Sequence, residues 1–263
     1  MSDKKVTSDN LIKEKRDGVV FLTMNNPSKF NLLSEAMLQE LQDELDCARE
    51  DASVRCVVIA GAGKAFCAGH DLKEMRSNWD FNYYKGLFAT CSKVMQSIVS
   101  LPVPVIAKVQ GIAAAAGCQL VASCDLAIAS QAAKFGVSGI NVGLFCSTPA
   151  VALSRNISSK RAFDMLCTGS FIDAETALDW GLISQVVAAD ELDHAVEEKL
   201  KQILSKDANA IRYGKSMFHA QRQMPLADAY AMAGDVMAKN MMELDTCEGI
   251  DAFLEKRTPV FSR

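Results

Sequence analysis

AKVQGIAAAAGCQLVASCDLAIA, residues 107–129, sets two apolar runs on either side of four consecutive alanines and a glycine. The pattern predicts a buried strand over Val105–Val109, a turn at Gly111, and a helix over Gly117–Ser123, with a second apolar run from Leu120 to Ala129. Small side chains in series pack little surface of their own, and they let main-chain atoms come close to something else. The first N–H groups of such a helix have no acceptor in the chain and carry partial positive charge. A buried strand that delivers an open helix N-terminus can hold an oxygen that gains negative charge. The same small residues would also serve a helix packed tightly on a sheet.

Upstream, LIKEK and VVFLTM flank Arg16-Asp17-Gly18, an Asp-Gly turn signal, so residues 11–24 predict a hairpin. Ser34 is placed to cap a helix whose apolar residues Met37, Leu38, Leu41 and Leu45 recur at helical spacing. Val54–Ala60 predicts a short apolar strand ended by Gly61-Ala62-Gly63, followed by the loop KAFCAGHDLKEM. A helix is expected from about Phe81 to Val99, stopped by Leu101-Pro102-Val103-Pro104.

Downstream, AAKFGVSGINVGLFCSTPA has little periodicity and many glycines, the composition of a functional loop on a rigid sheet. Helices are expected at 159–167 and 173–180, with a strand near Ile183–Val187. From Asp190 on, the segments 190–204, 207–221, 225–243 and 247–255 all predict helix. The expected organisation is therefore an α/β core over residues 1–200 and a helical C-terminal region over 201–263.

The chain has 263 residues and a formal charge of −4, which points to neither nucleic acid nor an anionic membrane surface. No apolar run approaches the length of a membrane span. Nine cysteines with three histidines and no CxxC pair indicate neither a zinc site nor a disulfide framework. Cys56, Cys67, Cys118, Cys124 and Cys167 lie in apolar surroundings and predict buried thiols. With the polar start MSDKKVTSDN, these features predict a reducing, cytoplasmic setting and no metal.

Two glycine-rich loops, Gly61–Gly69 and Gly111–Gly117, each follow an apolar strand. In a parallel sheet both open at the carboxyl edge, where ligands bind. Neither matches GxGxxG or GxxxxGK[ST], and no GxSxG is present, so dinucleotide, P-loop and nucleophile-elbow readings are weak. A two-donor oxyanion hole, one N–H from each loop, uses both.

KAFCAGHDLKEM (64–75), GIAAAAGCQLVASCDLAIAS (111–130) and FLEKRTPVF (253–261) resemble the signatures of the crotonase superfamily, the enoyl-CoA hydratase/isomerase family. The resemblance runs from GVVFLTMNNPSKFNLLSEAM to the end of the chain, in the family's order and spacing. It implies a spiral of β-β-α units with a C-terminal helical region, assembled as a homotrimer or dimer of trimers. It also implies an acyl-CoA or enoyl-CoA ligand of fatty acid metabolism, with coenzyme A entering as part of the substrate and no permanent cofactor.

By the same resemblance the oxyanion donors are the main-chain N–H groups of His70 and Ala116. Two glutamates of the family's hydratases correspond to Gln119 in GCQL and Gly139 in FGVSGI. Glutamine has no proton to exchange near neutral pH and glycine has no side chain, so the standard acid/base pair is missing. Nominal hydration of a trans-2-enoyl-CoA, double-bond isomerisation, another thioester reaction, and a non-catalytic binding or assembly role all stay open. The His70 imidazole could act as base, or it could be held away by its loop. Asp71 suits an N-cap of Leu72–Met75, and Glu74 suits the surface or a loop anchor. Cys146 and Ser147 have no histidine near them in sequence, while His194 and His219 read as surface or packing residues. Coenzyme A contacts are implied for Lys64, Ala68, Asp71, Leu72 and Lys73, and for Lys256 and Arg257, which could equally be solvated charges at a helix end. Met232, Val236, Met237, Met241, Met242 and Leu244 exceed what a small helical tail needs, so this region is expected to pack on a neighbouring subunit.

Overall fold

The computed structural model describes residues 4–262. Strand β1 (Lys4–Thr7) pairs antiparallel with β2 (Leu11–Arg16), and β2 with β3 (Val19–Met24), where Arg16 faces Val19. Asp17 and Gly18 form the two-residue turn with φ of 51° and 78°. That left-handed geometry matches the twist of the flanking strands. Helix α1 (Glu35–Glu50) starts at Ser34, whose hydroxyl accepts from Met37 N at 3.3 Å. Its buried face carries Met37, Leu38, Leu41 and Leu45, at the expected helical spacing.

From there the chain coils. Each turn lays one strand in a large sheet, the next in a small sheet, and then a helix. The first turn is β4 (Cys56–Gly61), β5 (Ala65–Cys67), α2 (Leu72–Ser77) and α3 (Phe81–Ser100). The second is β6 (Val105–Val109), β7 (Ile112–Ala114) and α4 (Ala116–Ser123). The third is β8 (Leu126–Ser130), β9 (Lys134–Gly136), α5 (Ser147–Leu153) and α6 (Ser159–Thr168). Then follow β10 (Phe171–Asp173), α7 (Ala174–Trp180), β11 (Gln185–Val187), α8 (Leu192–Leu204), α9 (Ala208–Gln221), α10 (Leu226–Met241) and α11 (Leu244–Leu254). The large sheet runs β1-β2-β3-β4-β6-β8-β11 and the small one β10-β9-β7-β5. Both are parallel between successive coils.

The central strands are buried on both faces, which is why their sequence is a continuous apolar run. Val57 and Ile59 join the main core with α1 and α3, whereas Cys56 and Val58 pack with Leu192, Val196 and Leu200 of α8. Helix α9 is tied to the body by Lys215. Its ammonium donates to Ile98 O and Val103 O, both at 2.9 Å, and to Asp125 Oδ2 at 2.6 Å. All three lysine donors are thereby used. No helix among the described residues is long and apolar enough to cross a membrane.

Several elements differ from the sequence expectation. Strands β1, β5, β7, β9 and β10 were not expected, and β5, β7 and β9 fall inside segments read as loops. Three or four residues are too few to show alternation, so these strands exist through pairing with neighbouring coils. Helix α4 begins at Ala116, one residue before the expected start, and α11 begins at Leu244 rather than 247. Cys56, Cys67 and Cys118 are buried as expected, but Cys124 is only partly buried and Cys167 is exposed on α6. A helix whose remaining turns are amphipathic left Cys167 on its outer side.

Candidate functional site

The first loop leaves β5 and is fixed almost entirely through its backbone. Ala68 N donates to Phe30 O at 3.0 Å, and Gly69 O accepts from Leu33 N at 2.8 Å. Asp71 caps α2, accepting from Lys73 N at 2.9 Å and Glu74 N at 3.2 Å. Beneath the loop lies Asn31, fully buried, whose amide donates to Ala62 O and Ala65 O at 2.9 Å and to Phe66 O at 3.1 Å. Sequence reading missed this staple because NNPSKFN carries no periodicity. An asparagine in a breaker segment is the only signal it offers.

The second loop leaves β7, which lies between β5 and β9 in the small sheet. Ala115 N donates to Gly136 O at 2.8 Å, and Ala115 itself sits at φ 49°, ψ −117°. An alanine rarely adopts that conformation. It turns the chain so that Ala116 opens α4. Among the described residues, neither the His70 N–H nor the Ala116 N–H donates to any acceptor. The two loops touch: a Cβ on Gly69 would lie 3.2 Å from Ala116 N. The loops that carry these two unpaired N–H groups are thus in contact, and the Ala116 N–H is at a helix N-terminus.

The side chains around this point are unequal. Gln119 is 4% exposed, and its Oε1 is buried with no hydrogen-bond partner. It lines a cavity of about 1190 Å³ between α3, α4, α5 and α9. Gly139 lies in a 3-10 turn, and a Cβ there would sit 2.5 Å from Leu144 O and 2.7 Å from Cys146 Sγ. The space that a longer side chain would leave through is filled. Cys146 is buried, which pushes its thiol up from the ordinary value and keeps it protonated. Ser147 opens α5, and its hydroxyl is engaged with Phe145 O at 3.3 Å.

The His70 imidazole is held away from free rotation. Its Nδ1 lies 3.1 Å from Leu33 O, and its ring meets Phe88 edge-on at 5.6 Å. A carbonyl partner requires the proton on Nδ1, so Nε2 keeps its lone pair, and that atom is buried without a partner. Burial lowers the pKa, so the neutral ring is favoured.

Lys64, Leu72 and Lys73 are exposed around the first loop, and Ala68 is half-buried. At the other end of the chain, Arg257 is engaged by Glu248 at 2.6 and 2.8 Å and by Glu255 at 2.6 Å, while Lys256 beside it is exposed. His219, read from sequence as surface or packing, lines the cavity with Nε2 at 2.9 Å from Asp125 Oδ1. Lys215 and His219 on α9, with Arg222 just past its end, recur at the spacing of one helical face, a signal visible in the sequence once α9 is docked. His194 lies on α8, far along the chain from either loop. Among the described residues, no group of three or more His, Cys, Asp or Glu could hold a metal ion.

The enoyl-CoA hydratase/isomerase family model matches residues 14–263. The chain is 45% identical to the human enoyl-CoA hydratase domain-containing protein 3, mitochondrial, over 94% of this chain and 81% of that one. The rat protein of the same name is 43% identical over 94% of this chain and 82% of its own. Among solved structures, an enoyl-CoA hydratase from Mycobacterium smegmatis superimposes with a TM-score of 0.95 at 54% identity, covering 95% of this chain and 98% of that one. The crystal structure of human enoyl-CoA hydratase domain-containing protein 3 gives 0.93 at 43% identity, covering 95% and 99%. The expected cytoplasmic setting does not stand, because five relatives at 41–45% identity are named as mitochondrial. The coiled β-β-α architecture, the two loops with their open N–H groups and the match over nearly the whole chain make this protein a member of the enoyl-CoA hydratase/isomerase, or crotonase, family.

Proposed function

We propose that the chain binds acyl-CoA thioesters, with the thioester oxygen between the N–H groups of His70 and Ala116. The observation that carries this reading is the contact of the two loops at Gly69 and Ala116 with both N–H groups unpaired. Negative charge developing on that oxygen as an enolate would be stabilised by two main-chain N–H dipoles, that of Ala116 at the start of α4 and that of His70 in the first loop. Lys64 and Lys73, exposed beside the first loop, are placed to meet the phosphates of coenzyme A. Arg257, already engaged by Glu248 and Glu255, is a weaker candidate for that role than its sequence position implies.

The reaction the family suggests is hydration of a trans-2-enoyl thioester, and here it is slow. Water needs a base and C2 needs a proton, and Gln119 with Gly139 supplies neither. Each missing proton transfer costs about 10²–10⁴-fold. Crotonyl-CoA hydration by the purified protein is therefore expected to fall several orders of magnitude below that of a two-glutamate relative. Gln119→Glu is expected to raise it. Gly139→Glu is a poor companion, since its Cβ meets Leu144 O and Cys146 Sγ before the carboxylate is placed. Robust turnover by the unaltered protein would overturn the reading of a disabled acid/base pair. Failure to bind any acyl-CoA at millimolar concentration would remove the thioester site itself.

The C-terminal helices form the assembly surface in this proposal. Met242, Leu244 and Phe253 are 83%, 84% and 82% exposed, and Met237 and Met241 lie near them in the chain. Apolar side chains this exposed in series call for a partner surface, and a trimer or dimer of trimers supplies one. A monomer mass by light scattering at micromolar concentration would refute it.

A further inference from the structure

We propose that the cavity beside Gln119 takes an acyl chain that ends in a carboxylate, held at its far end by Arg155 and Arg222. This rests on the thioester reading above and specifies its substrate class.

The cavity begins at Gln119, one helical turn from the proposed oxyanion donor Ala116, and follows α4 toward its C-terminal end. Arg155 stands at that end. The amide of its neighbour Asn156 donates to Ala122 O at 2.8 Å, which places the pair six residues along α4 from Ala116, about 9 Å at the helical rise. A short dicarboxylic acyl chain of glutaryl or adipyl size, met by an extended arginine side chain, spans that distance.

The charges lining the cavity favour an anion. Asp125 is the one carboxylate in its wall, and it is already engaged by Lys215, His219 and the Val105 N–H. Arg155 and Arg222 also line it, and among the described residues neither has a carboxylate within ion-pair distance. Their contacts are to main-chain carbonyls: Arg155 donates to Val151 O at 2.9 Å, and Arg222 donates to Arg155 O. These bonds orient the guanidinium groups without neutralising them. A purely apolar tail would be served as well by leucine at these positions.

A phosphate of coenzyme A has the same anionic chemistry, so the test separates the two sources. Calorimetry on the full-length protein would compare butyryl-CoA, glutaryl-CoA and free coenzyme A, each against the unaltered protein, the double variant Arg155→Gln/Arg222→Gln, and Arg222→Lys. Glutaryl-CoA is expected to bind at least about tenfold more tightly than butyryl-CoA, from one charge-assisted pair. The double variant is expected to bring the two affinities together, and Arg222→Lys to keep part of the difference. Equal affinities in the unaltered protein would overturn the proposal. So would a double variant that loses affinity for free coenzyme A, which would assign the arginines to the phosphates. Binding of none of the three ligands would instead defeat the thioester reading beneath it.

Discussion

Gly69 and Ala116 meet at the centre of the candidate site: a Cβ on the glycine would lie 3.2 Å from the Ala116 nitrogen and 3.0 Å from Ala115 Cβ. Gly69 also sits at φ +91°, a conformation that side chains resist. Gly69→Ala is therefore expected to push the two loops apart, with a loss of about 1–3 kcal/mol in stability. Acyl-CoA affinity should fall with it. Thermal unfolding and calorimetric titration on one preparation would check both, and an unchanged affinity would show that the N–H pair does not hold the ligand.

Ala115 offers the opposite experiment. Its φ of 49° with ψ of −117° is a strained setting for alanine, of order 1–3 kcal/mol. Glycine there would relieve the strain while adding about 0.4–1 kcal/mol of entropy to the unfolded chain. The first effect is larger, so Ala115→Gly is expected to raise the thermal midpoint by a few degrees. A lowered midpoint would mean that the methyl group contributes packing that outweighs its backbone strain.

Lys215 joins the helical region to the core through Asp125 and two carbonyls. Lys215→Met leaves Asp125 with only His219 and the Val105 N–H and strands two carbonyl acceptors, and is expected to cost about 3–5 kcal/mol. Adding Asp125→Asn should return part of that loss, since the uncompensated charge is then gone. A double variant less stable than the sum of the single losses would contradict the pairing. Burial lowers the Lys215 pKa, so the folded protein releases this proton before the unfolded chain does. Its contribution to stability accordingly rises with pH from the folded pKa toward the ordinary lysine value of about 10.4. In Lys215→Met that component of the alkaline pH dependence should vanish.

At the acid end, Asp51 beside Lys15 and Glu248 beside Arg257 are both held down to about 2. Depressed carboxylates stabilise the folded state above their unfolded pKa, near 4, and that contribution is lost as pH falls toward 2. Glu248 also accepts from Val260 N at 2.8 Å, so it anchors the end of the chain as well as Arg257. Glu248→Gln is expected to free the segment after Arg257 at neutral pH, seen as faster amide exchange at Val260. Unchanged exchange there would show that Asp245, which holds Ser262, is the anchor that matters.

The favoured neutral state of His70 sets a further expectation. With its pKa lowered by burial, the ring does not gain charge between pH 7 and 8. Acyl-CoA affinity should be flat across that range. An inflection removed by His70→Gln would assign the imidazole a part in binding.

What the amino-acid order determined by itself is local. The Asp17-Gly18 turn, the Ser34 cap, the Asp71 cap and the buried face of α1 each follow from a few adjacent residues whose side chains act on their own backbone. Strand β6 and α4 were legible for the same reason. Family motifs carried the reading further, to the pair of N–H groups on His70 and Ala116. Only the tertiary structure decided the rest. The contact of Gly69 with Ala116 depends on β5 pairing beside β7, and strands of three residues carry no pattern that specifies a partner. The filled space at Gly139 is made by Leu144 and Cys146 folding back on it. The cavity with Arg155 and Arg222 exists because Lys215 docks α9 against carbonyls at the end of α3 and just after it. Such relationships join residues far apart in sequence, and burial and hydrogen bonding select among them only when the whole chain has closed.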